Sequence, residues 1–308
     1  MEKSIQNVLK QIAPYIHRTP VFTSSSLDEM IGCKLYFKCE NFQRMGAFKF
    51  RGAMHALLNL SEKEKLKGVI THSSGNFAQA LSLAAKLVGI PAYIVMPENA
   101  PKVKIEAVKG YGGIITFCPA SNQAREEFTL SLIAEKGLTF IHPSNDYNLI
   151  LGQGTAAFEL IEDVKELDYI VTPVGGGGLI AGTILASEPA DIKVVGGEPI
   201  VVNDAYRSLL LGQIEYHTNA FTIADGLRTH LGDVNFPIIK KGIDCIICVE
   251  ESEIISAMKL ILERMNIIVE PSSAVALAAV FKEKDKFKNL RVGIILSGGN
   301  VDLTKLPF

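Results

Sequence analysis

Tyr169-Ile-Val-Thr-Pro-Val-Gly-Gly-Gly-Gly178-Leu-Ile-Ala-Gly-Thr-Ile-Leu-Ala-Ser187 decides the fold. An apolar run without alternation reads as a strand buried on both faces, as in a parallel sheet. Four glycines follow it directly, and then residues 179–186, rich in helix formers. Strand, glycine turn and helix in that order make an α/β unit. Consecutive glycines let backbone N–H groups converge on an anion, and the helix start adds a favourable dipole. The ligand this predicts is a phosphate; a turn that only packs helix on strand is the plainer alternative. No Lys with a following Ser or Thr completes a P-loop, which argues against nucleotide hydrolysis. Gly176-x-Gly178-x-x-Ala181 also fits a dinucleotide fingerprint, with Glu198 near the end of the next strand. A nicotinamide (NAD)-dependent dehydrogenase therefore stays open at this point.

The pattern continues outward in both directions. Val69-Ile-Thr, Ala92-Tyr-Ile-Val-Met, Ile114-Ile-Thr-Phe-Cys and Thr139-Phe-Ile-His read as strands with helices between them. Together they predict a compact βαβαβαβ unit over residues 68–143. Downstream, 192–197, 246–249 and 292–296 read as strands, and 253–265 and 272–281 as helices. The expected fold is α/β, a large open and mostly parallel sheet with a smaller α/β lobe inserted. Residues 1–67 and 144–308 would form the large domain and 68–143 the small one. Two lobes make a cleft, and ligands favour such interfaces.

Composition narrows the function classes. The 308 residues are 48% apolar and 21% charged, which excludes a largely disordered chain. The net charge is −2 and no long basic run occurs, so nucleic acid is not an expected partner. Residues 169–187 carry no charge, but Pro173 and the glycines interrupt them, so no membrane span is expected. The N-terminal residues lack an apolar signal core, and cytoplasmic is the expected location. Five scattered cysteines suit free thiols in a reducing compartment. Cys245 and Cys248 have C-x-x-C spacing but lie in a strand-like run, and no second pair completes a zinc site.

Three more segments carry chemistry. Ser73-Ser-Gly-Asn76 sits between a strand and a helix, where its amides suit a carboxylate or phosphate. Asn76 could also hold a phenolic or carbonyl oxygen; plain helix capping is the alternative. Leu296-Ser-Gly-Gly-Asn300 directly follows the last strong strand, and ligands sit at the carboxyl ends of strands in an open α/β sheet. The Ser297 hydroxyl there can hydrogen-bond a ring nitrogen. Lys49 lies in Met45-Gly-Ala-Phe-Lys-Phe-Arg-Gly-Ala53, among small and apolar neighbours. A desolvated lysine has a lowered pKa and can act as a Schiff-base nucleophile; a solvated lysine at a helix start is the alternative.

In order and spacing, these four segments resemble the pyridoxal-phosphate enzymes of the tryptophan-synthase-β type (fold type II), and within them the threonine/serine dehydratase and serine racemase family. The resemblance implies pyridoxal 5'-phosphate as cofactor, with Lys49 as its Schiff-base lysine. Phe48, Asn76, Gly175, Gly176, Gly177, Gly178, Leu179 and Ser297 would line it. Ser73, Ser74, Gly75, Asn76 and Phe77 would hold the substrate carboxylate. Ser74 would be the second acid or base, opposite Lys49. Arg125 falls where the racemase has a substrate-gating arginine; a helix-surface arginine is the simpler account. Glu198, the Val202 carbonyl and Asp204 match a ligand segment for Mg²⁺ or Ca²⁺; helix capping by these acids is the alternative. The implied activity is α,β-elimination, turning L-threonine or L-serine into a 2-oxo acid and ammonia. The Met45-Gly-Ala-Phe-Lys variant also looks like that of threo-3-hydroxyaspartate ammonia-lyases, and serine racemisation is a further alternative. So is a carrier of the cofactor without catalysis. The expected partners are a small β-hydroxy amino acid and a second copy of the chain, as a homodimer. Phe77 departs from the His of many relatives, and Met45 and Ala47 from a Thr and a Ser. The chain ends soon after Ser297, and no regulatory domain is expected.

Overall fold

The apolar run that opens at Tyr169 forms β7 (Tyr169–Pro173), and all five of its residues are buried. The computed structural model describes residues 4–217 and 221–308. The other strands are β1 (Val21–Phe22), β2 (Lys34–Cys39), β3 (Val69–His72), β4 (Ala92–Pro97), β5 (Ile114–Cys118), β6 (Thr139–Phe140), β8 (Lys193–Pro199), β9 (Ile243–Val249) and β10 (Arg291–Leu296). They make a six-stranded sheet, β1-β2-β10-β7-β8-β9, and a four-stranded sheet, β5-β4-β3-β6. Every pairing is parallel except β1 with β2. The four strands of the second sheet all fall between β2 and β7 in the chain. This is the α/β architecture expected, a large mostly parallel sheet with a smaller one inserted.

Strand parity explains why the central strands of the large sheet are apolar on both faces. Tyr169, Val171, Val292, Ile294 and Leu296 pack on one face, into a cluster with residues of the helices Glu251–Met265 and Pro271–Lys282. Ile170 and Ile295 point the other way, toward Leu151, Ala157 and Leu160 of the helix Tyr147–Asp163 and Leu179 of the helix Gly178–Ser187. Those two helices cross at Gly154 and Gly182, where a Cβ on Gly154 would come within 2.5 Å of the Gly182 carbonyl. Among the described residues, no helix is long and apolar enough to cross a membrane.

β2 is not anticipated by hydropathy. Lys34-Leu-Tyr-Phe-Lys-Cys39 looks solvated, yet Lys38 has no exposed surface. Its ammonium donates to the Thr19 carbonyl at 2.7 Å and pairs with Glu159 at 2.7 Å. A buried charge is tolerated only when paired and hydrogen-bonded in this way.

Candidate active site

Lys49 is the first residue of the helix Lys49–Leu58. The approach to it is pinned to the end of β10: Ala47 bridges Gly298, and the Phe48 N–H donates to the Ser297 carbonyl at 3.0 Å. Its ammonium donates to the Pro143 carbonyl at 2.7 Å. The Phe48 and Phe77 ring centroids lie 5.2 and 5.9 Å from it. Burial lowers this lysine to about 8, with the nearby Glu270 charge working against the shift.

The helix behind Lys49 is fixed by ion pairs. Arg51 is fully buried and meets Glu40 at 2.7 Å and Glu159 at 2.8 Å. Glu159 also takes Lys38, so two cations balance two carboxylates.

The glycine run is walled in from outside. A Cβ at Gly175 would lie 2.8 Å from the Leu227 Cα, one at Gly176 would strike the Ser144 hydroxyl, and one at Gly178 would lie 2.9 Å from the Ser144 carbonyl. Gly177 has φ +81°, a backbone state that favours glycine. Asn235 clamps the run, donating to the Gly176 carbonyl at 2.8 Å and the Ser144 carbonyl at 3.2 Å. The sites for side chains are filled, and the first-turn amides of the helix Gly178–Ser187 have no partner within it. Leu179 stands in that first turn. These are the features an anion cradle requires, so the residues present fit a phosphate-bearing cofactor.

The loop after β3 gives a second set of amides, at the start of the helix Asn76–Val88. Ser73 turns its hydroxyl inward, accepting from the Gly75 N–H at 3.3 Å. Ser73, Ser74, Gly75 and Asn76 are half-buried and Phe77 is buried. Pro143 and Ser144 join the two halves, since Pro143 holds Lys49 and Ser144 backs the glycines. Lys49, Ser297, the 73–77 loop and Gly175–Gly178 are thus linked through named contacts.

Sequence reasoning missed Glu270, Pro143, Ser144, Gln153 and Asn235. Glu270 is 5% exposed and accepts from the Asn76 amide through both oxygens. The available signal was an acid set between the apolar 267–269 run and a helix-opening Pro271. Gln153 is fully buried, with neither side-chain polar atom hydrogen-bonded. Nothing in its local sequence marks it.

The remaining expected residues lie apart. Arg125 stands in the helix Asn122–Lys136, within electrostatic reach of His72, the residue before the Ser73 loop. Both oxygens of Glu198 accept backbone N–H groups, from Ala205 and Tyr206, each at 2.9 Å. Burial pushes Glu198 up to about 8 and Asp204 up to about 6. Val202 is buried in the short turn Ile200–Val202. With its carboxylate turned to the helix Asp204–Leu211, Glu198 is engaged as a cap rather than as the ribose ligand that the dinucleotide reading needs. The five cysteines are free thiols.

A desolvated amine between two amide-lined turns, at the carboxyl ends of parallel strands, defines an α/β enzyme whose lysine can hold a carbonyl compound bearing an anion. The chain belongs to the pyridoxal-phosphate dependent enzyme family, whose model matches residues 12–298. It is similar to the serine racemase of Dictyostelium discoideum, 52% identical over 99% of this chain and 96% of that protein. It is also similar to the β-hydroxyaspartate dehydratase of Paracoccus denitrificans, 48% identical over 97% of this chain and 96% of that protein. The crystal structure of serine racemase from Dictyostelium discoideum superposes with a TM-score of 0.93, at 52% identity, covering 97% of this chain and 98% of that one.

Proposed function

We propose that this chain is an ammonia-lyase for small β-hydroxy amino acids, with L-serine and threo-3-hydroxyaspartate as its first substrates, L-threonine as the third, and serine racemisation as a competing outcome. The observation that carries the reading is the Lys49 amine, lowered to about 8 and held 2.7 Å from the Pro143 carbonyl, which adjoins the Ser144 that backs the glycine run. The names of the two relatives move serine and hydroxyaspartate ahead of threonine.

When bound, the cofactor supplies an electron sink for negative charge at the substrate Cα. Lys49 would hold it covalently, Gly175–Gly178 and Leu179 would hold its phosphate, and Phe48 and Asn76 would line it. Ser297 would offer a neutral hydroxyl to its ring nitrogen. The amides of 73–77 would bind the substrate carboxylate, fixing the Cα–H bond toward Lys49. Lys49 would then take the Cα proton, a role that needs its neutral form. Loss of the β-hydroxyl follows proton removal in the lyase reaction. Ser74, on the other face, would return a proton to Cα in the racemase reaction. The 68–143 segment would serve as the small substrate-loop domain against 1–67 and 144–308. Arg125 would guard its entrance, and the working form would be a cytoplasmic homodimer.

The test measures 2-oxo acid release from L-serine, L-threonine and L-threo-3-hydroxyaspartate, with chiral analysis of the serine left over. Release from at least one substrate, lost in Lys49→Ala, is expected. Racemised serine with no oxo acid from any substrate would replace the lyase reading by the racemase one. Neither product would leave only cofactor carriage.

A further inference from the structure

The start of the helix Asp204–Leu211 faces two histidines brought from separate turns of the chain. His217 Nε2 lies 3.6 Å from Asp204 Oδ1, and His230 Nδ1 lies 3.4 Å from Oδ2. The two imidazole centroids are 4.4 Å apart, and one donor atom from each of the three residues falls within 4.8 Å of the others. Asp204 is 1% exposed, yet neither of its oxygens has a hydrogen-bond partner, and neither do the facing ring nitrogens. A buried carboxylate without a partner is strongly disfavoured, so a partner is expected here. The separations are long for N–H···O bonds. They match the edge of a tetrahedron whose ligands lie about 2.1 Å from a central cation, which is about 3.4 Å. Arg207 does not fill the role, because its guanidinium is held by Asn203 at 3.2 Å, Glu215 at 3.5 Å and the Tyr216 carbonyl at 2.9 Å.

We propose that Asp204, His217 and His230 form a binding site for a borderline divalent cation of the Zn²⁺ or Co²⁺ kind, in place of the all-oxygen Mg²⁺ or Ca²⁺ site. Two imidazoles and one carboxylate suit such an ion, whereas Mg²⁺ and Ca²⁺ take six or more oxygens. Both oxygens of Glu198 accept the Ala205 and Tyr206 amides, which fixes the helix that presents Asp204. The site borders the glycine run. Thr229 and Leu231, on either side of His230, lie where Cβ atoms on Gly176 and Gly177 would touch them, at 3.0 and 2.7 Å. A bound ion would therefore tie the wall of the glycine run to the helix Asp204–Leu211. The proposal does not depend on which amino acid the enzyme consumes.

The test titrates untagged, cofactor-loaded protein, stripped of metal by a chelator, with CoCl₂. One Co²⁺ per chain is expected, with visible d–d bands to the red of the cofactor absorption. Equimolar ZnCl₂ should displace it, while hundredfold MgCl₂ or CaCl₂ should not. His217→Ala and His230→Ala should each weaken Zn²⁺ at least tenfold, with the cofactor band and melting temperature kept. Displacement of Co²⁺ by equimolar Mg²⁺ or Ca²⁺ would overturn the proposal in favour of Glu198, Val202 and Asp204. An intense near-ultraviolet thiolate band would overturn it in favour of Cys245 and Cys248, and so would failure to bind Co²⁺ at all. The wild-type titration decides these outcomes even if a variant fails to fold.

Discussion

The side-chain amide of Asn76 donates to both carboxylate oxygens of Glu270, at 2.9 and 3.0 Å. Asn300 extends the contact, donating to Asn76 Oδ1 at 2.9 Å and to the Met45 carbonyl at 2.8 Å. The loop after β3 is thus fastened to two turns beside the large sheet, across 194 and 224 residues of chain. Burial nevertheless pushes the Glu270 carboxyl up to about 7, with Asn76 opposing the shift.

That shift has a sign. A carboxyl raised from 4.5 to about 7 keeps its proton in the folded chain over a range where the unfolded chain has released it. The folded state then binds more protons, so stability falls as pH rises through this window and the loss is complete above it. Glu198 and Asp204, also raised, act in the same direction. Glu270→Gln should remove one share of the slope. Urea midpoints of cofactor-free protein at about pH 5 and about pH 8 measure it. A variant that loses as much stability as the wild type between the two would refute the assignment.

Lys49 gives the second pH dependence. Only the neutral amine attacks a carbonyl, and burial brings the lysine down to about 8. The rate at which stripped protein captures pyridoxal phosphate should therefore climb with pH and level off above about 8, followed by visible absorbance. An unperturbed lysine would keep climbing to about 10.4. Lys49→Ala should capture none, and turnover should fall by at least about a thousandfold, ~4 kcal/mol in barrier.

Much of this site is legible in the chain because its parts are contiguous. The runs at 69–76, 169–178 and 292–300 each hold a strand and its glycine-bearing turn within ten residues or so, and local pattern suffices. The parts that escape are pairings. Glu270 reads as a helix-start acid until Asn76 is beside it, and Pro143 as loop until Lys49 reaches its carbonyl. β2 is hidden by Lys38, whose buried charge is explained only by Glu159, far along the chain. Asp204 stands out only by resemblance, and His217 and His230 have no motif spacing and meet it only through the fold.

Gly177 and Gly89 make a matched pair. Both have positive φ, +81° and +71°, so alanine strains either backbone by about 1–2 kcal/mol. Gly89 ends a helix in open space, whereas a Cβ at Gly177 would lie 2.7 Å from Asn235 Oδ1. Asn235 is the clamp on the Gly176 carbonyl, so displacing it should distort the cradle. Gly177→Ala should weaken pyridoxal phosphate binding at least tenfold, and Gly89→Ala should leave it unchanged while costing only the backbone strain. Equal affinities in the two variants would separate the glycine run from cofactor binding.

Arg51 shows what holds the lysine helix in place. Its guanidinium meets both oxygens of Glu40, at 2.7 and 2.8 Å, and both of Glu159, at 2.9 and 2.8 Å, with no exposed surface. Such a network adds less net stability than its geometry suggests, because four charges are desolvated to make it. Breaking it from one side is different, since the remaining carboxylates stay buried beside a single Lys38. Arg51→Met should cost about 3–5 kcal/mol in urea unfolding. Adding Glu40→Gln and Glu159→Gln removes the stranded charges and should recover at least half of the loss, with Lys38 keeping Asp163 at 3.8 Å and the Thr19 carbonyl at 2.7 Å. Phe48 remains bonded to Ser297 in every variant, so the Lys49 end of the helix stays anchored and cofactor capture should persist. A loss below about 1 kcal/mol for Arg51→Met alone would mean that water reaches the carboxylates, and that the helix is held by its apolar face instead.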